Sequence, residues 1–303
     1  MAVVLLQNKN DPKEIHYQVQ KEFDKRIEQY FYNFYFKSLG LFDWKDRLDC
    51  RKKEGAMCRA TLRTVEKISG LDLKNKKMLD IGCGWGGYTV AGLEMGIDAY
   101  GCDIDDKVLE IAALRSKLHG VPENYYIAPA EQLPFPDETF DYVQCISVLE
   151  HVNNVSTSIR EMVRVLKKGG VAFISAPNYF MPVELHYKVL FPPKCPKRLG
   201  KLYLRLLGRP TEFLDTINYI DYKRIKSELE KHSVKIENIE RQYNEVFNSL
   251  YKPQMSATEE KRRYPFTYNM LISKIIWRIT PAIITFISKF FNIPYIYFLI
   301  RKY

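Results

Sequence analysis

A glycine-rich turn, Gly82-Cys83-Gly84-Trp85-Gly86-Gly87, closes a short apolar run, and Asp103 follows Gly82 by 21 residues. Glycines at that spacing let the backbone turn tightly and approach a ligand closely. A carboxylate at the end of the following strand can accept hydrogen bonds from both hydroxyls of a ribose. The chemistry implied is nucleoside binding. Spacing alone also satisfies the dinucleotide fingerprint, which would place a pyrophosphate at the start of the next helix. Further along, His151 is a candidate proton-transfer group, and Glu184 and His186 are possible acceptor-side groups. Arg51 and Arg59 precede the turn as candidate anion-binding groups, although surface charge is the simpler account of both.

The elements that must position these groups follow from hydrophobic periodicity. Residues 14–69 read as helices, with an apolar stripe of Tyr17, Phe23, Tyr30, Phe31, Phe34 and Tyr35, and a second helix over 56–68 closed by Gly70. From Lys77 the period changes: strands over 77–81, 97–102, 125–128, 140–147 and 171–176 alternate with helices ending near Met95, over 107–119 and over 155–166. Such alternation predicts βαβ units and a doubly wound, Rossmann-like α/β sheet. Residues 197–207 predict an amphipathic helix, with Leu199, Leu202, Tyr203, Leu206 and Leu207 on one face and Lys197, Arg198, Lys201 and Arg205 mostly off it. Residues 234–243 read as a sixth strand. The apolar stretch 268–300 is interrupted by Lys274, Arg278, Pro281, Lys289 and Pro294, so no run reaches the roughly 20 residues of a spanning helix.

The surrounding text separates the two cofactor readings. MLDIGCGWGGYTVAGLEMG (78–96), YGCDID (100–105), PAEQLPFPDETFDYV (129–143), SVLEHV (147–152) and EMVRVLKKGGVAFISAPN (161–178) occur in that order over about 100 residues. Together they resemble the class I S-adenosylmethionine-dependent methyltransferases, specifically the small-molecule group called type 11. The resemblance implies a seven-stranded sheet whose last strand is antiparallel, with 234–243 and 295–301 as strands six and seven and helices between them. It implies four segments: helices over 1–76, a cofactor-binding core over 77–178, an acceptor-side insertion over 179–232, and completion of the sheet over 233–303.

S-adenosylmethionine is then the expected co-substrate. By the resemblance Asp80, Gly82, Gly84 and Gly86 surround its methionine moiety, Asp103 holds the ribose, and Ala130 meets the adenine edge through its N–H, with Ile104, Glu131 and Ser147 completing the site. One position departs from the family: Pro129 stands where an Asp commonly takes the adenine amino group, leaving that task to Glu131 or backbone. His151, just past strand four, faces the cofactor in this family and is the leading base candidate, with His186 second. Quinone-precursor O-methyltransferases carry Glu-x-x-Glu-His here and bind a divalent cation. Ser147 replaces their first Glu, which removes much of the charge a hard cation needs, so no metal is expected.

Net charge is +10 but uneven: −10 across 78–159, +9 across 160–209 and +8 across 261–303. That asymmetry suits an anionic partner, and with the Leu-rich basic helix it suggests an anionic membrane surface. Nucleic acid fits less well, because SVLEHV is not the Asn/Asp-Pro-Pro-aromatic sequence used on flipped bases. Six Cys without CxxC spacing, and a 3–6 apolar run too short for a signal-peptide core, point to a reducing cytoplasmic location, with peripheral attachment to the membrane's inner face. The expected reaction is methylation of a small or lipid-linked acceptor, foremost an oxygen on a glycan or cell-envelope precursor, with a polyprenyl quinone precursor as the alternative acceptor. A cofactor-binding scaffold without turnover is the non-enzymatic alternative.

Overall fold

The computed structural model describes residues 11–187, 189–251 and 295–303. Helix α1 (Pro12–Phe31) starts where the Asp11 carboxylate accepts the Lys13 N–H and Pro12 presets the first turn. It buries Phe23, Ile27 and Phe31, whereas Tyr17 of the predicted stripe points to solvent. A π-helical turn (Tyr32–Ser38) leads to α2 (Trp44–Lys52) and α3 (Gly55–Ser69). The last ends at Gly70, whose φ of +69° is the left-handed conformation that a glycine adopts without steric cost.

The core alternates as the sequence predicts: β1 (Lys77–Ile81), α4 (Gly87–Glu94), β2 (Asp98–Asp103), α5 (Asp106–His119), β3 (Tyr125–Ile127), β4 (Phe140–Ile146), α6 (Val155–Val165) and β5 (Leu166–Pro177). Leu166 leaves the helix to pair with Phe140, so β5 begins before the Gly169-Gly170 break and not after it. A short hairpin follows, β6 (Val183–Glu184) with β7 (Val189–Leu190). Then come α7 (Lys197–Leu206), α8 (Tyr222–Leu229), β8 (Val234–Asn238), α9 (Glu240–Tyr251) and β9 (Tyr295–Lys302).

The main sheet runs β3-β2-β1-β4-β5-β9-β8. Strands β1 to β5 are parallel, and β9 enters between β5 and β8 antiparallel to both. This is the seven-stranded methyltransferase sheet. Strand six is shorter than predicted: the Asn238 side chain accepts the Glu240 N–H and starts α9, which carries Tyr243 onto Phe173 and Tyr297 at ring distances of 5.3 and 4.5 Å. The predicted helices between strands six and seven lie outside the described residues. Among those described, no helix is long and apolar enough to cross a membrane.

Strands β1, β4 and β5 are buried on both faces, as parallel strands with helical cover must be. Their carboxyl ends, Ile81, Ile146 and Pro177, therefore open at one edge of the sheet. The 82–87 turn, Asp103 and the Ser147–His151 loop are all attached at that edge.

Candidate active site

The turn after β1 holds Gly82, Gly84 and Gly86 at φ of +67°, +51° and +75°. A Cβ on Gly82 would stand 2.2 Å from Cγ2 of Val148, so only glycine lets the turn close against the loop after β4. Asp103 ends β2 beneath it. Its Oδ2 accepts the Gly84 N–H at 3.0 Å and its Oδ1 the Asp105 N–H at 3.1 Å. Each oxygen keeps a lone pair for a ribose hydroxyl. Burial raises the pKa of this carboxyl against those backbone donors. Ile104 beside it is exposed, free to lie against a base.

Asp80 is 2 % exposed. Its Oδ1 accepts from Gln144 Nε2 at 2.9 Å, and its Oδ2 has no hydrogen-bond partner among the described residues. Burial pushes this carboxyl up to about 7. A buried acid with one oxygen unmet fits a ligand that brings a cation, as the ammonium of a methionine moiety does. Ala130 is buried below the loop, whereas Glu131 is already engaged: its Oε1 accepts the N–H groups of Asn153 and Asn154 at 2.6 and 3.1 Å. Glu131 is thereby tied to the start of α6 through one oxygen. Ser147 is held at φ +55°, its N–H bonded to Ser175 O, in the bend that presents Glu150 and His151.

Sequence reasoning missed how the helical segment closes this site. Glu54 is buried where a Cβ on Gly87 would meet its Oε1 at 2.3 Å. It pairs with Arg115 of α5 at 3.1 Å and with Arg51 at 3.0 Å. A carboxylate thus already faces the first turn of α4, where the dinucleotide reading needs a pyrophosphate. Trp85 lies in an aromatic cluster with Tyr30 and Phe31, and Arg51 sits over its ring. Arg59 pairs with Glu94. Both arginines are paired with carboxylates, and Arg51, held by the buried Glu54, is not the plain surface charge that the sequence suggests.

On the opposite side of the β4 loop, residues far apart in sequence meet. The His151 and His186 rings are 5.0 Å apart, and both pack on Phe213, at 5.6 and 5.2 Å. Glu150 is fully buried, its two carboxylate oxygens lack hydrogen-bond partners among the described residues, and its Oε1 is 3.9 Å from His151 Nε2. Burial pushes Glu150 up to about 7 and His151 down to about 3, which leaves His151 a weak base. His186 differs. Burial opposes its charge, but the hydrogen bond from its Nδ1 to Glu184 Oε1 at 2.8 Å and the negative charges of Glu184 and Glu150 together raise its pKa. Glu184 is itself fixed by the Tyr187 N–H at 2.6 Å and the Tyr179 hydroxyl at 3.2 Å. The β6–β7 hairpin makes this possible; a histidine that reads as an exposed loop residue is half-buried beside His151.

Residues 79–174 match the family model described as a methyltransferase domain. The segment is a class I methyltransferase domain, and S-adenosylmethionine is the donor such domains take. Outside it the likeness fades. The ubiquinone biosynthesis O-methyltransferase of Rhizobium etli is 36 % identical over 109 residues, which are 36 % of this chain and 44 % of that protein. The enzyme of the same name from Pseudomonas fluorescens is 38 % identical over 112 residues, 36 % of this chain and 47 % of that protein. The chain spans about half the length of the curated relatives it matches. Among solved structures, the YcgJ protein of Bacillus subtilis aligns with 81 % of this chain and 98 % of its own, at 18 % identity and a TM-score of 0.49. The β6–β7 hairpin, α7 and α8 lie beyond the residues that the family model matches.

Proposed function

We propose that the chain methylates a hydroxyl of a lipid-bearing acceptor, using S-adenosylmethionine bound over the 82–87 turn. In this reading the acceptor oxygen attacks the methyl carbon, the carbon–sulfur bond breaks with its electrons staying on sulfur, and S-adenosylhomocysteine leaves. The hydroxyl proton passes to the Glu150, His151 and His186 group. Holding oxygen, carbon and sulfur in line accounts for much of such a rate, and a hydroxyl needs the base as well. The observation that carries the reading is Asp80, a buried carboxylate with one oxygen unmet beside a glycine turn shaped for a nucleoside.

The relatives' names favour a quinone precursor over the glycan acceptor that the sequence put first. Phe213 between the two histidines suits a planar phenol, since a ring can stack there and present its oxygen to them. Titration of S-adenosylhomocysteine by calorimetry tests the donor side: micromolar binding is expected, weakened at least about tenfold in Asp103→Ala by loss of charge-assisted hydrogen bonds. Absence of binding to the wild-type chain would overturn the reading. Labelled methyl transfer to polyprenyl catechols and to glycolipid extracts then separates the acceptors.

The lipid part of the reading rests on α7. Gly200 and Leu204 are its buried side, packed toward Phe191 and Leu214, so the leucine face predicted from sequence is the outward one. Leu199, Leu202 and Leu206 are 60 %, 53 % and 77 % exposed. Lys197 and Lys201 lean back on Asp215, which leaves Arg198 and Arg205 as the cations beside the leucines. Exposed leucines bordered by arginine match an anionic bilayer surface. Flotation with anionic liposomes at low salt should carry the protein upward, and Leu202→Glu with Leu206→Glu should leave it behind. Failure of the wild-type chain to float would remove the membrane from the proposal.

A further inference from the structure

Helix α2 carries a guanidinium that methyl transfer as described leaves unused. Nε and one terminal nitrogen of Arg47 are buried without a hydrogen-bond partner among the described residues. Its ion-pair neighbour, Asp43 one helical turn back, stands 3.5 Å from Nε, beyond ordinary hydrogen-bond length. We propose that Arg47 seats an oxyanion carried by the acceptor, a carboxylate or a phosphate, on the aromatic wall that leads to His151 and His186. The proposal deepens the methyl-transfer reading and rests on it for the acceptor's fate, though not for the binding of the anion.

The wall is continuous. The guanidinium lies over the Tyr35 ring at 5.3 Å. Tyr35 meets Phe34 edge-on at 5.0 Å, Phe34 meets Phe213 at 5.2 Å, and both histidines pack on Phe213. Resting on Tyr35, the planar fork is oriented before a ligand arrives. Nor does Asp43 cancel the cation. Arg209, in the segment after α7, donates to Gly40 O and feels the same Asp43 carboxylate, which opposes the downward push of burial on its pKa. Two guanidiniums thus share one aspartate, and a positive charge is left over in a partly buried place. An oxyanion would offset the cost of that charge, and an arginine fork meets carboxylate or phosphate through two parallel N–H donors.

The donor's own carboxylate is the rival anion. It belongs beside the glycine turn, where Arg51 already lies over Trp85 and is held by Glu54. Arg47 stands one turn of α2 away, about 5.4 Å along the helix axis. Of the two arginines it is Arg47 whose charge acts on His186, opposing its protonation. The cation therefore faces the side where the acceptor's hydroxyl must lie, and an acceptor anchored there by its anion would be held by one end while the other reaches the histidines.

The test titrates phenol, benzoate and phenyl phosphate by calorimetry into the full-length chain saturated with S-adenosylhomocysteine. At least one of the two anions is expected to bind about tenfold or more tighter than phenol, as charge-assisted hydrogen bonds to arginine allow. Tighter benzoate identifies the acceptor as an acid; tighter phenyl phosphate identifies it as a phosphoester, such as a lipid-linked phosphate. Arg47→Met keeps an apolar chain on Tyr35 and should erase the preference, with S-adenosylhomocysteine affinity unchanged. Should that variant melt early, Arg47→Lys, which keeps the charge but not the fork, carries the comparison and should lose most of the preference. Equal affinity for all three probes, or a preference that survives the loss of Arg47, would overturn the seat. So would S-adenosylhomocysteine affinity falling about tenfold in Arg47→Met at an unchanged melting temperature, which would place the guanidinium on the donor. If the wild-type chain binds no S-adenosylhomocysteine, the same titration without it still decides the seat, and the methyl-transfer reading alone falls.

Discussion

Arg115→Ala is expected to lower stability by roughly 3–5 kcal/mol, because it leaves the buried Glu54 carboxylate with only the more exposed Arg51 as partner. Arg115 and Glu54 have side chains 5 % and 6 % exposed and pair at 3.1 Å, and Arg115 also donates to Arg51 O at 3.0 Å and lies over the Phe23 ring. It is the rivet between α5 of the methyltransferase domain and the α1 to α3 helices. At about 2–4 °C per kcal/mol for a domain of this size, the melting temperature should fall by roughly 6–20 °C. Glu54 also rests on Gly87, so S-adenosylhomocysteine affinity should drop with it. Arg115→Met combined with Glu54→Gln removes both charges and should recover much of the loss. A melting temperature within about a degree of wild type for Arg115→Ala would refute the rivet.

The second large effect has opposite signs for folding and binding. Burial lifts Asp80 to about 7, above the range of an unfolded carboxyl. Between those values the folded state holds a proton that the unfolded state has lost. The Asp80 contribution to the stability of the unliganded protein is therefore fully present below the unfolded pKa and is lost as pH rises through 7. Asp80→Asn keeps the acceptor for Gln144 Nε2 and never ionises. It should stabilise the unliganded protein by a few kcal/mol at pH 8 and by little at pH 4. The same change removes the negative partner of the methionine ammonium and should weaken S-adenosylhomocysteine at least about tenfold. Thermal unfolding at both pH values, with calorimetry at pH 8, checks both halves. A variant less stable than wild type at pH 8 would contradict the first.

What sequence made legible, and what it did not, divides along the range of the interactions. The alternation from Lys77 to Ala176 predicts the five parallel strands, and the 82–87 turn with Asp103 predicts the donor site, because each is written in residues close together. Two strands of the return were also readable, although the sixth ran too long. Its apolar pattern continues through Tyr243, and only the Asn238 side chain switches the backbone to helix. The Glu54–Arg115 pair was not readable, since a Glu after two Lys looks like surface charge and its partner lies 61 positions away. His186 reads as a second base candidate, but nothing near it in the sequence brings it to His151. Its meeting with His151 depends on a two-residue ladder between Val183–Glu184 and Val189–Leu190 that no periodicity announces. The leucines of α7 show the same limit: a pattern fixes which residues share a face, and packing alone decides which way that face looks.

The placement of β9 bears on how the chain is made. Residues 295–302 lie between β5 and β8, so the ribosome must deliver them before those two strands can be joined. Until then β5, twelve residues long and buried throughout its second half, presents an unpaired edge during synthesis. Such an edge invites pairing with any extended chain nearby. Translation past residue 178 thus leaves the nascent domain with its glycine turn and Asp103 already made and its sheet still open.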